Sequence, residues 1–113
     1  MLSKILGATS ALLLAGATTA SSASSMLTSW YGPGFHGRLT ANGEVYNQMA
    51  LTAAHKTLPF GTQLRVCYKR CTTVRINDRG PYIGARELDL SRGAAQAIGL
   101  IWPGVANVKV TYL

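Results

Sequence analysis

"QLRVCYKRCTTVRI", residues 63 to 76, contains two short segments in which polar and apolar side chains alternate. A period of two places one face of each segment against a core and the other in solvent, as in β-strands. We therefore predict strands over 63–68 and 72–76, joined by Lys69 and Arg70 as a hairpin.

Cys67 and Cys71, the only cysteines of the 113-residue chain, fall at the tip of this hairpin. We predict a disulfide between them, because the start of the chain indicates export and disulfides persist in oxidising compartments. A metal site needs more ligands than two sulfurs, and no histidine is near them in sequence, so we predict no metal site here. The closed loop is short, so the bond should fix the hairpin register more than it adds stability.

The first 23 residues have the layout of a secretory signal, with one positive charge, an uncharged run over 5–17, and small residues up to a cleavage point after Ala20 or Ala23. The run is shorter than the roughly 20 apolar residues that span a bilayer, although a membrane anchor stays the alternative. We predict a signal over 1–23, one domain over 24–113, and no stable membrane insertion after cleavage.

Glycine and proline divide the rest of the chain into short segments. A further alternating segment over 105–112 predicts a closing strand. One helix is indicated, because Ser91 can cap its start, alanines favour it and Gly99 can end it. Many short strands with one helix favour a mainly β fold in a small closed barrel.

The net charge of +7 predicts an anionic partner. The basic residues are scattered singly, without a basic run or an aromatic RNA-binding signature, so we predict no nucleic-acid partner. Anionic polymers of a cell wall fit both the charge and the export.

Only four acidic residues are present, and three of them stand at turns or caps. Glu44 follows an Asn-Gly turn, Asp78 lies directly before a Gly-Pro turn, and Asp89 precedes the predicted helix. Two carboxyl groups in unlike surroundings can supply the acid and the charge stabilisation that glycosidic cleavage needs. Structural roles remain open, namely an Asx turn with an ion pair to Arg79 for Asp78, amide binding at the helix start for Asp89, and hydrogen bonding for His55.

Four stretches occur in order along the chain: "SWYGPGFHGRLTANGEVYN", "LTAAHKTLPFGTQLRV", "VRINDRGPYIGARELDLSRGAAQAIGL" and "GVANVKVTYL". Together they resemble the RlpA-like proteins, from about residue 28 to residue 112. The resemblance implies a six-stranded double-psi β-barrel with one or two short helices, a fold shared with expansins and barwin-like proteins. It also implies an endolytic lytic transglycosylase, which cuts peptidoglycan glycan strands without water and leaves 1,6-anhydro muramyl ends.

The resemblance also implies site residues. Glu44, His55 and Asp78 match the family's catalytic residues, with the TLPFG turn positioning the histidine. Asp89 matches the position that looks like the functional aspartate of expansins. The expected substrate-binding residues are Asp89, Arg79, Trp30 and Tyr31, the two aromatic rings stacking on sugars, although Trp30 can instead belong to the core.

The expected mechanism uses Asp78 twice. Protonated through burial and its neighbour Glu44, it donates to the glycosidic oxygen and then takes the proton of the sugar's own C6 hydroxyl. The reaction needs no water, metal or cofactor. We expect a secreted or periplasmic, wall-associated monomer acting on peptidoglycan glycan strands, with the three catalytic groups meeting in one groove. The alternative is a non-catalytic, expansin-like module that binds or loosens the wall.

Overall fold

The computed structural model describes residues 23–113, so the predicted signal, apart from its last residue, lies outside the described residues. The described part forms six strands and one helix, which confirms a mainly β fold. In chain order they are β1 (Ser24–Trp30), β2 (Thr52–His55), β3 (Gln63–Cys67), β4 (Cys71–Asp78), β5 (Leu88–Leu90), α1 (Arg92–Ile98) and β6 (Ala106–Tyr112).

The strands close into a barrel in the order β1-β5-β2-β4-β3-β6. The pairs β1–β5 and β2–β4 are parallel, and the other four pairs are antiparallel. The predicted hairpin is the β3–β4 pair, and the predicted closing strand is β6, which completes the barrel between β3 and β1. Among residues 23–113, closure leaves no edge of this sheet free to pair with another chain.

The core follows from the alternation of the strands. On β3, the side chains of Leu64 and Val66 are fully buried while Gln63 and Arg65 are exposed. The same pattern supplies further buried side chains from the other strands, among them Val74, Ile76, Leu88, Leu90, Val108 and Val110. Each buried side chain of this size contributes roughly 1.5–3 kcal/mol of transfer free energy.

The helix α1 begins and ends at the predicted residues. The Ser91 hydroxyl oxygen accepts a hydrogen bond from the Ala94 backbone N–H at 3.1 Å and caps the start. Gly99 ends the helix with a left-handed φ of 84°, which favours glycine. Gly93 lets the helix pass close to the preceding loop, since a Cβ there would stand 2.5 Å from the Met49 carbonyl oxygen.

The hairpin tip carries the predicted disulfide between Cys67 and Cys71. The backbone N–H groups of Lys69 and Arg70 both donate to the carbonyl oxygen of Ile98, at 3.0 and 3.3 Å. The hairpin tip therefore packs on the C-terminal end of α1. The disulfide fixes the hairpin register at the same tip that contacts the helix.

Candidate active site

An open groove of about 580 Å³ lies where β4, β2 and β5 run side by side. Ala54 pairs with Asp78 on one side and with Asp89 on the other, and all three residues line the groove. Adjacent strands are about 4.8 Å apart, so the Cα atoms of the two aspartates are separated by about 10 Å. Two carboxyl groups therefore flank the same stretch of groove floor.

Asp78 ends β4 and accepts three hydrogen bonds. Its Oδ1 atom accepts from the backbone N–H groups of Ala41 at 2.8 Å and Arg79 at 2.9 Å. Its Oδ2 atom accepts from the hydroxyl of Tyr31 at 2.5 Å. The donors come from three separate segments of the chain, which together fix the orientation of the carboxyl group.

Asp89 is a partly buried carboxyl group of the groove. Burial raises its pKa, while a hydrogen bond from the Ser29 hydroxyl at 2.9 Å and the nearby Arg86 oppose that shift. The alternative role as a helix cap is wrong, because Ser91 makes the capping contact. A carboxyl group with a raised pKa can hold a proton at a pH where an ordinary one has lost it.

Tyr31 stands at the end of β1 and reaches the groove. Its ring stacks on Tyr46, with centroids 4.7 Å apart, and meets the ring of Phe35 edge-on at 5.7 Å. Burial, followed by the hydrogen bond to Asp78, raises the pKa of the phenol far above its usual range. The hydroxyl therefore keeps its proton and acts as a donor.

Glu44 is bound in an ion pair outside the groove lining. Both its carboxylate oxygens accept from the guanidinium of Arg75, at 2.5 and 2.9 Å, and amides of Asn42 and Asn77 donate as well. The hydrogen bond from Arg75 is the main cause that lowers the pKa of Glu44 to about 2. Within residues 23–113 this is the one salt bridge.

The turn from Thr40 to Glu44 links this ion pair to the groove. Ala41 donates its N–H to Asp78, and three residues later Glu44 binds Arg75 on β4. The N–H of Asn42 also donates to the carbonyl oxygen of Asn77 at 3.3 Å. The ion pair of Glu44 therefore fixes the 40–44 turn, and the Ala41 N–H of this turn orients the carboxylate of Asp78.

His55 follows Ala54 on β2 but is not part of the groove lining. Its Nδ1 atom accepts from the backbone N–H groups of Thr57 and Leu58, both at 3.1 Å. Burial is the main cause that lowers the pKa of the imidazole. Of the three groups that we expected to meet in one groove, only Asp78 lines it. His55 and Glu44 lie outside the lining and support the surroundings of Asp78.

Arg79 lines the groove, and its guanidinium lies 3.9 Å from the ring centroid of Phe60. The same group donates to the carbonyl oxygen of His55 at 3.4 Å. The open alternative of an ion pair with Asp78 is wrong, because only the backbone N–H of Arg79 contacts that carboxylate. The guanidinium stays available at the groove for an anionic substituent.

Trp30 is the partly buried last residue of β1. It packs against the hydrophobic core, and it lines a second pocket of about 230 Å³ together with Gln48 and Arg92. Tyr31 lines both this pocket and the groove.

No arrangement of three or more His, Cys, Asp or Glu side chains suited to a metal ion occurs within the part of the chain that the structure describes. No helix among residues 23–113 is long and apolar enough to cross a membrane.

Comparison with known proteins identifies the family to which this barrel belongs. The model of the lytic transglycolase family matches residues 23–110. This range includes nearly all of the barrel and its groove. The chain belongs to the lytic transglycolase family. The resemblance seen in the sequence motifs is thereby confirmed.

The chain is similar to two curated relatives from bacteria. The chain is 62% identical over 87 residues to a probable endolytic peptidoglycan transglycosylase RlpA of Synechocystis, with 74% of this chain and 27% of the relative covered. It is 58% identical over 87 residues to the endolytic peptidoglycan transglycosylase RlpA of Campylobacter jejuni, with 74% and 32% covered. The chain thus spans about a third or less of the length of these relatives.

Solved structures with the same fold include two proteins of other kinds. A Streptomyces papain inhibitor matches with a TM-score of 0.64 and 19% identity, over 80% of this chain and 94% of that one. An expansin of Clavibacter michiganensis matches with a TM-score of 0.65 and 18% identity, over 80% and 50%. At such identities the likeness establishes the fold alone, and it confirms the double-psi barrel.

Sequence reasoning missed several residues of the site. Ser29, Tyr46 and Arg75 each bind a site side chain that the sequence did identify. Ser29 and Tyr46 lie inside a motif that carried the resemblance, but their partners are 60 and 15 residues away. Only Arg75 had a local signal, as a cation at an outward position of the alternating strand β4.

Proposed function

We propose that residues 23–113 form the catalytic domain of an endolytic peptidoglycan transglycosylase. It cuts the bond between N-acetylmuramic acid and N-acetylglucosamine within a glycan strand and leaves a 1,6-anhydro end. Membership of the lytic transglycolase family and the names of the relatives support this reaction. The disulfide supports a place outside the cytoplasm, secreted or periplasmic, where the domain acts as a wall-associated monomer.

The observation that carries the proposal is the pair of aspartates on either side of Ala54 in one open groove. Cleavage of a glycosidic bond uses a proton for the leaving oxygen and a second carboxyl group near the reacting sugar. The lytic reaction adds one demand, since the sugar's own C6 hydroxyl must lose its proton as its oxygen closes on C1.

The surroundings of the two aspartates divide these tasks. Asp89, whose pKa is raised by burial, is the proton donor to the leaving oxygen. Asp78, which accepts hydrogen bonds on both oxygens, takes the proton from the C6 hydroxyl. The C1–O bond to the leaving sugar breaks, the C1–O6 bond forms, and solvent returns one proton to Asp89 and removes one from Asp78.

Other residues orient the strand or maintain the site. Arg38 and Arg79 line the groove and are suited to the lactyl carboxylate of N-acetylmuramic acid. Tyr82, whose side chain is 73% exposed at the groove, offers a ring face for a sugar. Glu44 and His55 act from outside the groove. Glu44 holds the turn whose Ala41 N–H binds Asp78, and the backbone carbonyl oxygen of His55 accepts from the Arg79 guanidinium.

Product analysis tests the reaction. Purified glycan strands digested with the protein should yield internal fragments with 1,6-anhydro ends in mass spectrometry. Asp89→Asn should lower their formation about 100-fold or more. Glu87→Gln is the matched control, because Glu87 accepts only an exposed hydrogen bond from the N–H of Leu27 and does not line the groove. Reducing ends in place of anhydro ends would contradict the proposal.

A substrate with a good leaving group separates the two tasks. A nitrophenyl glycoside of N-acetylmuramic acid needs no proton on its leaving oxygen, so Asp89→Asn should recover most of its activity on it. Asp78→Asn should stay impaired, because the C6 hydroxyl still has to lose its proton. If Asp78→Asn recovered activity on this substrate and Asp89→Asn did not, Asp78 would be the acid and Asp89 the base.

A binding function without cleavage is the second candidate. The groove rim exposes apolar side chains, with Leu39 and Tyr82 each 73% exposed and Ile83 63% exposed, as a surface that grips a polymer would. Saturable binding to insoluble wall material with no soluble product would favour this expansin-like function over the enzyme.

A further inference from the structure

The hydroxyl of Tyr31 is the one side-chain donor to Asp78 among the described residues. It contacts Oδ2 at 2.5 Å, whereas both hydrogen bonds to Oδ1 come from backbone N–H groups. With Oδ1 occupied twice, Oδ2 is the oxygen left to meet a substrate. Any group that exchanges a proton with Asp78 therefore does so beside the phenol.

Tyr31 is held by its backbone and by two aromatic neighbours of its ring. Its backbone N–H donates to the carbonyl oxygen of Leu90 at 2.9 Å, which continues the pairing of β1 with β5. One ring face stacks on Tyr46 at an interplanar angle of 18°, and Phe35 meets the ring edge-on. Tyr46 is itself almost fully buried, and its hydroxyl accepts from the N–H of Arg92 at 3.3 Å. A ring held in this way keeps its hydroxyl at a constant position.

We propose that Tyr31 is a positioning residue that acts through Asp78, in place of the sugar-stacking role expected from the sequence. This proposal rests on the proposed function of Asp78 as the base. The phenol donates to Oδ2 while the carboxylate is charged, and so aims that oxygen at the C6 hydroxyl of the sugar.

The proton balance follows from the contact. When Asp78 acts, the O6–H bond breaks and an Oδ2–H bond forms, while Tyr31 keeps its own proton and rotates its hydroxyl to accept. A hydrogen bond to the charged form of an acid favours that form. Solvent then removes the proton from Oδ2, and the Tyr31 hydroxyl donates to that oxygen again.

Removing only the hydroxyl has a defined effect. In Tyr31→Phe, kcat should fall about 10- to 100-fold with KM within about twofold, because one charge-assisted hydrogen bond is lost without loss of ring packing. The acid limb of the pH profile of kcat should move to higher pH by about one unit. A residue that only supported the fold would not move that limb.

Other ionisable groups face the pair, and they are unchanged in the variant. They are Asp89 from β5, Arg38 and Tyr46 from the segment between β1 and β2, and Arg79 and Tyr82 from the segment after β4. Tyr46→Phe is the matched control, since it removes a hydroxyl from the stacking partner that does not contact Asp78. It should leave the acid limb in place.

Kinetics on glycan strands give the first test. Unchanged kcat in Tyr31→Phe, an acid limb that stays in place, or equal shifts in both variants would overturn the proposal. A rise in KM alone would return Tyr31 to sugar stacking and would overturn it as well. Circular dichroism and the thermal midpoint confirm that both variants fold.

A measurement without substrate separates this inference from the proposed function. The side-chain carboxyl carbon of Asp78 is titrated by ¹³C NMR in the wild type, Tyr31→Phe and Tyr46→Phe. The midpoint should move to higher pH in Tyr31→Phe only. An unmoved midpoint in a catalytically active protein would refute the role of Tyr31. A moved midpoint in a protein that forms no anhydro ends would support the coupling and refute the proposed function.

Discussion

The two ends of strand β4 carry different kinds of structure. At its start, Cys71 is bonded to Cys67, four residues earlier in the chain. At its end, about 23 Å away for seven residues of strand, Asp78 is held by Ala41 and Tyr31, which are 37 and 47 residues distant. One end is built by local contacts, and the other end exists only once the barrel has closed.

This difference separates a locally built support from the chemical groups along one strand. The hairpin end fixes register and supports α1, but it presents no acid or base. The groove end gathers side chains from separate segments, and its polar groups face an open groove. Changes at the groove end should therefore alter activity more than stability, and changes at the hairpin end should alter neither strongly.

The largest effect is expected at the groove end. Asp78→Asn should lower the formation of anhydro ends by about 100- to 10,000-fold, because the base is lost. The amide oxygen can still accept from the Ala41 and Arg79 N–H groups, so the thermal midpoint should stay within a few degrees. Rates from glycan digestion and midpoints from calorimetry check both parts. Activity retained within tenfold would contradict the assignment of Asp78.

The next effect concerns His55, beside the groove. His55→Ala removes the acceptor of two backbone N–H groups and should lower the free energy of unfolding by about 1 kcal/mol. His55→Asn can accept from the same turn and should recover both stability and activity. Chemical denaturation and product assays compare the variants. Stability restored by asparagine without activity would indicate a direct role of the imidazole.

The same residue predicts a pH dependence. The pKa of His55 is lowered in the folded chain from its ordinary value of 6.5, so the unfolded chain binds the proton first. Its stabilising contribution is complete above pH 6.5 and declines as the pH falls below that value. His55→Asn should lack this decline in unfolding experiments between pH 7 and 5.

A similar contribution is expected from the ion pair of Glu44, at lower pH. The pKa is about 2 in the folded chain against 4.5 when unfolded, so the contribution is complete above pH 4.5 and lost as the pH falls toward 2. The side chain is 33% exposed, which reduces the contribution to about 1 kcal/mol at neutral pH. Glu44→Gln should be less stable than the wild type at pH 6 and equal to it near pH 2 in urea unfolding. A difference independent of pH would contradict the ion pair.

The smallest effect is expected at the hairpin end. The Cys67→Ser, Cys71→Ser double variant opens a loop of very few residues, so the free energy of unfolding should fall by about 1 kcal/mol or less. Activity should stay within twofold, because the disulfide is about 23 Å from Asp78 along β4. A large loss of activity would contradict the claim that the hairpin end of β4 does not affect the chemistry at its groove end.

The hairpin, the closing strand and the helix were predictable because their signals are local. Alternation along 63–76 and 105–112 reports the two faces of a strand, and the helix carried its own cap and stop in Ser91 and Gly99. The strands β2 and β5 are only four and three residues long, too short for a pattern. Motif resemblance identified the barrel because it joins such segments across the chain.

The site was only partly predictable. Asp78, Asp89, Arg79 and Tyr31 were identified and do line one groove. The contacts of Arg75 with Glu44 and of Tyr46 with Tyr31 were not identified, since Glu44 and Tyr46 lie in the segment between β1 and β2 and meet these partners only in the folded chain. The residue types in the sequence identified the candidates. The contacts in the folded chain showed which of them donate, which accept and which support the site.

By itself, the sequence determined the residue types, the β-rich pattern, the hairpin with its disulfide, and the capped helix, because each depends on neighbours within a few residues. Only the tertiary structure decided that Ala54 brings Asp78 and Asp89 to one groove, that Glu44 is neutralised by Arg75, and that Tyr31 binds Asp78. The physical reason is that proton affinity and orientation depend on burial and on donors within about 3 Å, and barrel closure brings those donors from distant parts of the chain.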